Sequence, residues 1–213
     1  MRMDREYAAC TFVVVGLELS RQTGELAVSG AAALAVRAED WLPLWRVHAQ
    51  VESGADEANR TRAESRDVVR CGSLGEALAL IDRRITEAPH VAVARLGRME
   101  AAMFWEQRAS CPRLASLVLW DAMRLAQIAC PAVAEPSEAA LASALGIGLP
   151  ERGAPVTRAV WATSEICRRA LQQGISAGRW ATFRQVEDLV GRRPRPVEEH
   201  YLPSGPVQDS LFD

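Results

Sequence analysis

The stretch "TFVVVGLELS" (residues 11–20) decides the fold. It opens on a run of β-branched and apolar residues, the composition of a strand buried on both faces. It then delivers a single acid, Glu18, two residues beyond Gly16. "RQTGE" (21–25) follows with a glycine turn signal. "LAVSGAAALAV" (26–36) and "WRVHAQVES" (45–53) read as two further strands, punctuated by Trp41, Pro43 and Gly54. These segments predict an antiparallel meander whose first strand ends on a lone carboxylate.

Beyond the meander, "SGADEANRTRAESRD" (53–67) is polar and reads as a surface loop. "SLGEALALIDRRI" (73–85) carries Ser73 with Glu76 three residues on, a capping box that opens an amphipathic helix. "HVAVARL" (90–96) is a short buried strand, and "GRMEAAMFWEQRA" (97–109) a helix. "LASLVLWDA" (114–122) holds a strand that runs directly into the helix "DAMRLAQIA". Helices follow over 136–147, 154–174 and 179–191, the second with Val156, Val160, Cys167 and Leu171 on one stripe. The last places Trp180, Phe183, Val186 and Val190 on one face. The order predicts an α/β fold: a mixed five-stranded sheet flanked by helices.

A chain of 213 residues with 49% apolar content fills one core, assigned to residues 1–190. Residues 191–213 carry four prolines and little periodicity, and read as a flexible tail. The net charge is −2, and every one of the 25 basic residues is arginine. That balance excludes tight charge-driven binding to nucleic acid. The five cysteines are scattered, with no C-x-x-C pair, so neither a zinc site nor a disulfide framework is indicated. Scattered thiols suit a reducing cytoplasm. The beginning "MRMDREYAAC" does not read as a signal peptide, and no apolar run is long enough to span a bilayer. "GIGLPERG" (146–153) has spaced glycines but follows a helix pattern rather than a strand, which argues against a phosphate loop.

Four local patterns, in order, resemble the motifs of the DEDDh 3′–5′ exonucleases, the family of the proofreading epsilon subunit of bacterial DNA polymerase III. In "VVVGLELSRQTGE", Gly16 stands at the Asp and Glu18 at the Glu of D-x-E. In "ARLGRMEAAMF", Arg95, Leu96, Met99 and Glu100 stand at the named positions of H-N-x-x-F-D. "LWDAMRLAQ" matches the strand-to-helix motif, with Asp121 at its Asp. "APVTRAVWATSEI" matches H-x-A-x-x-D-A-x-x-T-A, with Ala154 at the His and Ala159 at the Asp. The resemblance implies the ribonuclease H-like exonuclease fold, with Glu18 and Glu100 facing each other across a shallow cleft.

The family's reaction uses two divalent metals held by four carboxylates, and a histidine that deprotonates water. On this sequence the resemblance leaves Glu18 and Glu100 as vestigial ligands, with no metal, no cofactor and no catalytic residue implied. Glu18 also reads as a solvated strand end, Glu100 as a helix-surface acid, and Asp121 as the cap of the helix that follows it. The direct route back to a metal site is Gly16→Asp with Ala154→His and Ala159→Asp. Arg95, Arg98 and Arg158 lie at the motif positions or beside them, where they could hold phosphate in place of metal charge.

"QDSLF" (208–212) resembles the Q-x-[SD]-L-F peptide by which bacterial proteins bind the sliding clamp of DNA replication. Gln208 would hydrogen-bond at a groove mouth and Leu211 and Phe212 would fill an apolar pocket, with Ser210 part of the same partner-binding peptide. The reading is therefore a catalytically inactive exonuclease-fold protein of the cytoplasm. It binds the clamp, with a DNA polymerase or repair protein as a possible further partner, and has weak or no affinity for nucleic acid and none for membranes. Two alternatives stand beside it: an active exonuclease with relocated metal ligands, and a weak nucleic-acid-binding module.

Overall fold

The computed structural model describes residues 5–22, 25–52, 68–86 and 89–195. In chain order the elements are α1 (Arg5–Ala9), β1 (Thr11–Gln22), β2 (Glu25–Arg37), β3 (Pro43–Val51), β4 (Val68–Cys71), α2 (Leu74–Asp82), β5 (His90–Ala94) and α3 (Arg98–Glu106). Then come α4 (Pro112–Ser116), β6 (Leu119–Asp121), α5 (Ala122–Ala129), α6 (Glu138–Ala144), α7 (Pro155–Ser176), α8 (Phe183–Val190) and β7 (Gly191–Arg192). They build one mixed sheet in the order β4-β3-β2-β1-β5-β6-β7.

The meander is present as expected: β1 pairs antiparallel with β2, and β2 with β3. β5 then lies parallel to β1, and β6 parallel to β5. The sheet has seven strands among the described residues rather than five. The additional two are short edges. β4 pairs parallel with β3, and β7 pairs antiparallel with β6. The chain thus stays on the sheet for two residues beyond Val190, where the sequence placed the start of the tail.

β1 is apolar on both faces because both are covered. Phe12 and Val14 pack with residues of α5, α7 and α8, while Val13 and Val15 pack with residues of α2, α3 and α4. Phe12 anchors the first layer: its ring stacks on Trp41 at 5.2 Å and is tilted against Trp120 at 5.3 Å. The stripe read for α7 is the buried one, with Val156, Val160, Cys167 and Leu171 all in the core. Among the described residues, no helix is long and apolar enough to cross a membrane.

Candidate functional site

The carboxyl ends of β1, β5 and β6 come level with one another. Val14 is opposite Val93, and Ala94 is opposite Asp121. Gly16 and Glu18, Arg95, and Asp121 therefore finish neighbouring strands. In open α/β sheets this end is where ligands bind.

Gly16 is a point of close approach. A Cβ built there would meet Val160 Cγ2 at 2.8 Å and the Val156 carbonyl at 3.6 Å. Helix α7 lies directly on the strand, and Val160 fills the space that an acid at position 16 would use.

Glu18 precedes a bulge in the β1–β2 pairing and stands opposite Gly30. Gly30 has no side chain, and the Glu18 carboxylate lies across it, with Oε2 3.4 Å from its Cβ position. On the same face, opposite Ala32, is His48 of β3, a residue outside every motif. Its pKa is lowered by burial, and the Glu18 charge pulls it the other way. Thr157 Oγ1 of α7 stands 3.5 Å from His48 Nδ1. Sequence reasoning missed this histidine. The signal was in the strand register: with β2 paired to β3, Ala32 falls opposite His48, two residues from the glycine opposite Glu18.

Glu100 is placed differently. It sits in the first turn of α3 and is only 4% exposed. Its Oε2 has no hydrogen-bond partner among the described residues. Burial raises its pKa; its own backbone N–H and Arg95 pull it down, and the Asp121 charge pushes it up. Asp121 is also raised, first by burial, and opposed by the backbone N–H of Arg124 and the charge of Arg192. It accepts a 2.9 Å hydrogen bond from Arg124 N and so caps α5, as its place before that helix suggested.

The structure buries Glu100 rather than leaving it open to a cleft. Glu18 projects on the α7 side of the sheet, toward His48. Helix α3, which carries Glu100, packs Ala101 and Phe104 into the core on the other side, and Glu100 itself is buried. The physical reason is local. Gly97, at φ 67°, starts α3 tightly against the end of β6, with its Cβ position 3.0 Å from Asp121 Cβ. The first turn of the helix is thereby drawn over Asp121.

Arg95 and Arg158 are held by local partners. Arg95 is ion-paired at 3.1 Å with Glu138 of α6. Arg98 is the first residue of α3. Arg158, in the first turn of α7, donates from Nη1 to the Glu151 carbonyl at 3.4 Å. The peptide Gln208, Ser210, Leu211 and Phe212 lies outside the described residues.

The residues present do not fit two hard divalent metals. Gly16 and Ala159 offer no side-chain donor, and Glu100 is buried. Glu18 and His48 alone would leave most of the shell of such an ion to water. Among the described residues, no group of three or more His, Cys, Asp and Glu could hold a metal ion.

In three dimensions the chain is similar to the 3′-exonuclease seen in 3′-end-specific recognition of a histone mRNA stem-loop. The TM-score is 0.56 at 12% identity, over 80% of this chain and 84% of that one. It is also similar to the nuclease domain of 3′hExo, a DEDDh family member bound to rAMP, with a TM-score of 0.51 at 11% identity over 80% and 95% of the two chains. The chain has the DEDDh 3′-exonuclease fold. Cell-death related nuclease 4 (CRN-4) shares it, with a TM-score of 0.55 at 9% identity over 79% of this chain and 67% of that one. No protein-family model matches the chain. No curated protein matches it in sequence. The fold read from four motif frames is thus the fold observed, while the acids of those frames are largely replaced.

Proposed function

We propose that this chain is an exonuclease-fold protein that has lost the family's chemistry and acts as a clamp-binding adaptor in DNA replication or repair. The observation that carries the loss of chemistry is Val160, whose Cγ2 lies 2.8 Å from the Cβ position of Gly16. A merely absent carboxylate leaves a hole that water or a neighbouring acid can fill. Here an apolar side chain lies in that space, which supports the reading that no bridging ligand stands at this position. The clamp reading rests on the sequence "QDSLF" (208–212). A peptide of this kind uses apolar anchors in a groove and leaves the folded domain free to hold another protein.

The test is an exonuclease assay paired with a clamp pull-down. Purified protein with Mg²⁺ or Mn²⁺ is expected to leave single-stranded DNA undegraded from its 3′ end. The intact chain should retain the bacterial sliding clamp, and a chain ending at Val207 should not. Metal-dependent digestion abolished by Glu18→Ala would overturn the first half in favour of an active nuclease with relocated ligands. Clamp retention by the shortened chain would overturn the second.

A further inference from the structure

At the end of the sheet opposite Gly16 and Asp121 there is an apolar groove of about 480 Å³. Cys10, Val91, Val118 and Phe183 line it, with His90 and Glu187 as its polar groups. Thr11 and His90 open β1 and β5 as paired residues, so this groove marks the amino ends of those strands. The site already described is at their carboxyl ends.

We infer that Leu211 and Phe212 dock in this groove in cis, so that the domain and the clamp compete for one peptide. The inference rests on reading "QDSLF" as a clamp peptide. Its structural basis is the direction of β7. Gly191 lies opposite Trp120 and Arg192 opposite Leu119. One more residue brings the chain level with Val118, which lines the groove. The chain therefore leaves the sheet travelling toward it.

Leu211 lies 19 residues beyond Arg192 (211 − 192). A chain of that length reaches roughly 60 Å when extended and spans roughly 25 Å as a random coil. The groove is within reach in either state. Within 193–213, Leu211 and Phe212 form the largest adjacent pair of wholly apolar side chains. Left in water, such a pair is an aggregation hazard, and an apolar groove on the same molecule covers it. A tether of this kind presents its peptide at about millimolar effective concentration. A groove affinity of only about 0.1 mM then keeps the peptide docked about ten parts to one, and lowers the apparent clamp affinity about tenfold.

The first measurement uses the full chain without clamp. Methyl NMR signals of Val91 and Val118 should shift in Leu211→Ala/Phe212→Ala, and a synthetic peptide of residues 203–213 should shift them back. The second compares clamp affinities. The full chain should bind about tenfold more weakly than the same peptide, and Ala9→Trp, which fills the groove from an exposed position, should remove the difference. Methyl signals unmoved in the double variant overturn the inference. So do signals that move instead with Tyr201→Ala/Leu202→Ala, which would assign the groove to a different segment. If the peptide itself fails to bind the clamp, the adaptor reading falls, while the clamp-free methyl shifts still decide cis docking.

Discussion

Val160 stands where a side chain at position 16 would have to be, its Cγ2 2.8 Å from the Cβ position of Gly16. Real Cβ atoms do not tolerate that approach, so the glycine permits α7 to lie on β1. Gly16→Asp with Ala154→His and Ala159→Asp, the route back to metal binding suggested by the motif frames, therefore meets a steric barrier before any ligand chemistry begins. Gly16→Ala is expected to cost about 1–3 kcal/mol, the usual range for overpacking a core. Val160→Ala should also destabilise, by loss of buried methyl groups. Together they should cost clearly less than their sum, because each relieves the other's misfit. Urea denaturation of the four proteins of the cycle checks this. Strict additivity would mean that the two sites do not compete for one space.

Glu100 gives the domain a pH dependence of defined sign. Burial holds its carboxyl above the ordinary value of 4.5, and Asp121 is held above its ordinary 3.8. A folded value above the unfolded one means that the folded state keeps the proton more tightly. The associated stability is fully present below the unfolded value and is lost as pH rises through the folded one. Glu100→Gln cannot ionise, so its contribution does not fall across that window. Relative to the natural protein, the variant should be more favourable at about pH 8 than at about pH 5. Urea midpoints at the two pH values measure the difference. An equal offset at both would show that Glu100 does not titrate in that range.

The parts of this fold that were legible in the sequence are those whose pattern is set by a core. The β1 run reads as a central strand because Phe12 and Val14 serve one layer and Val13 and Val15 the other. The α7 stripe reads correctly for the same reason. The edges β4 and β7 were not legible. Their four and two residues have no burial pattern of their own and become strands only through the backbone of β3 and β6. At the site, the identity of each replaced acid was visible, but its consequence was not. An acid in the first turn of a helix ordinarily faces water. Glu100 is buried because Gly97 draws that turn against Asp121. His48 comes to the face that carries Glu18 through the β1–β2–β3 pairing, which no single segment shows.

Trp180 presses on Gly174 in the last part of α7. A Cβ at position 174 would overlap the indole, and Trp180 Nε1 donates to the Leu171 carbonyl at 3.3 Å. This contact fixes the turn between α7 and α8. Gly174→Ala has no free space to use and should destabilise by about 1–3 kcal/mol, despite the better helix propensity of alanine. Thermal melting followed by circular dichroism is the check. An unchanged or raised melting temperature would show that the indole swings away at little cost.

The last prediction concerns Leu211 and Phe212. As a free peptide, "QDSLF" is expected to bind the bacterial sliding clamp in the micromolar range, which is about −8 kcal/mol. Apolar anchors dominate short-peptide interfaces, and each such side chain contributes roughly 1.5–3 kcal/mol when fully buried. Gln208 should add about 1 kcal/mol and fix orientation through hydrogen bonds. Leu211→Ala with Phe212→Ala should therefore weaken clamp binding by about two orders of magnitude or more. The domain should remain folded, since no side chain of its core is changed, and lose only the stabilisation of about 1.4 kcal/mol that a peptide docked about ten parts to one supplies. Added salt should have little effect, because apolar contact rather than charge carries the binding. Equal clamp affinity for the double variant and the intact chain, measured by isothermal titration, would remove the clamp from this protein's function.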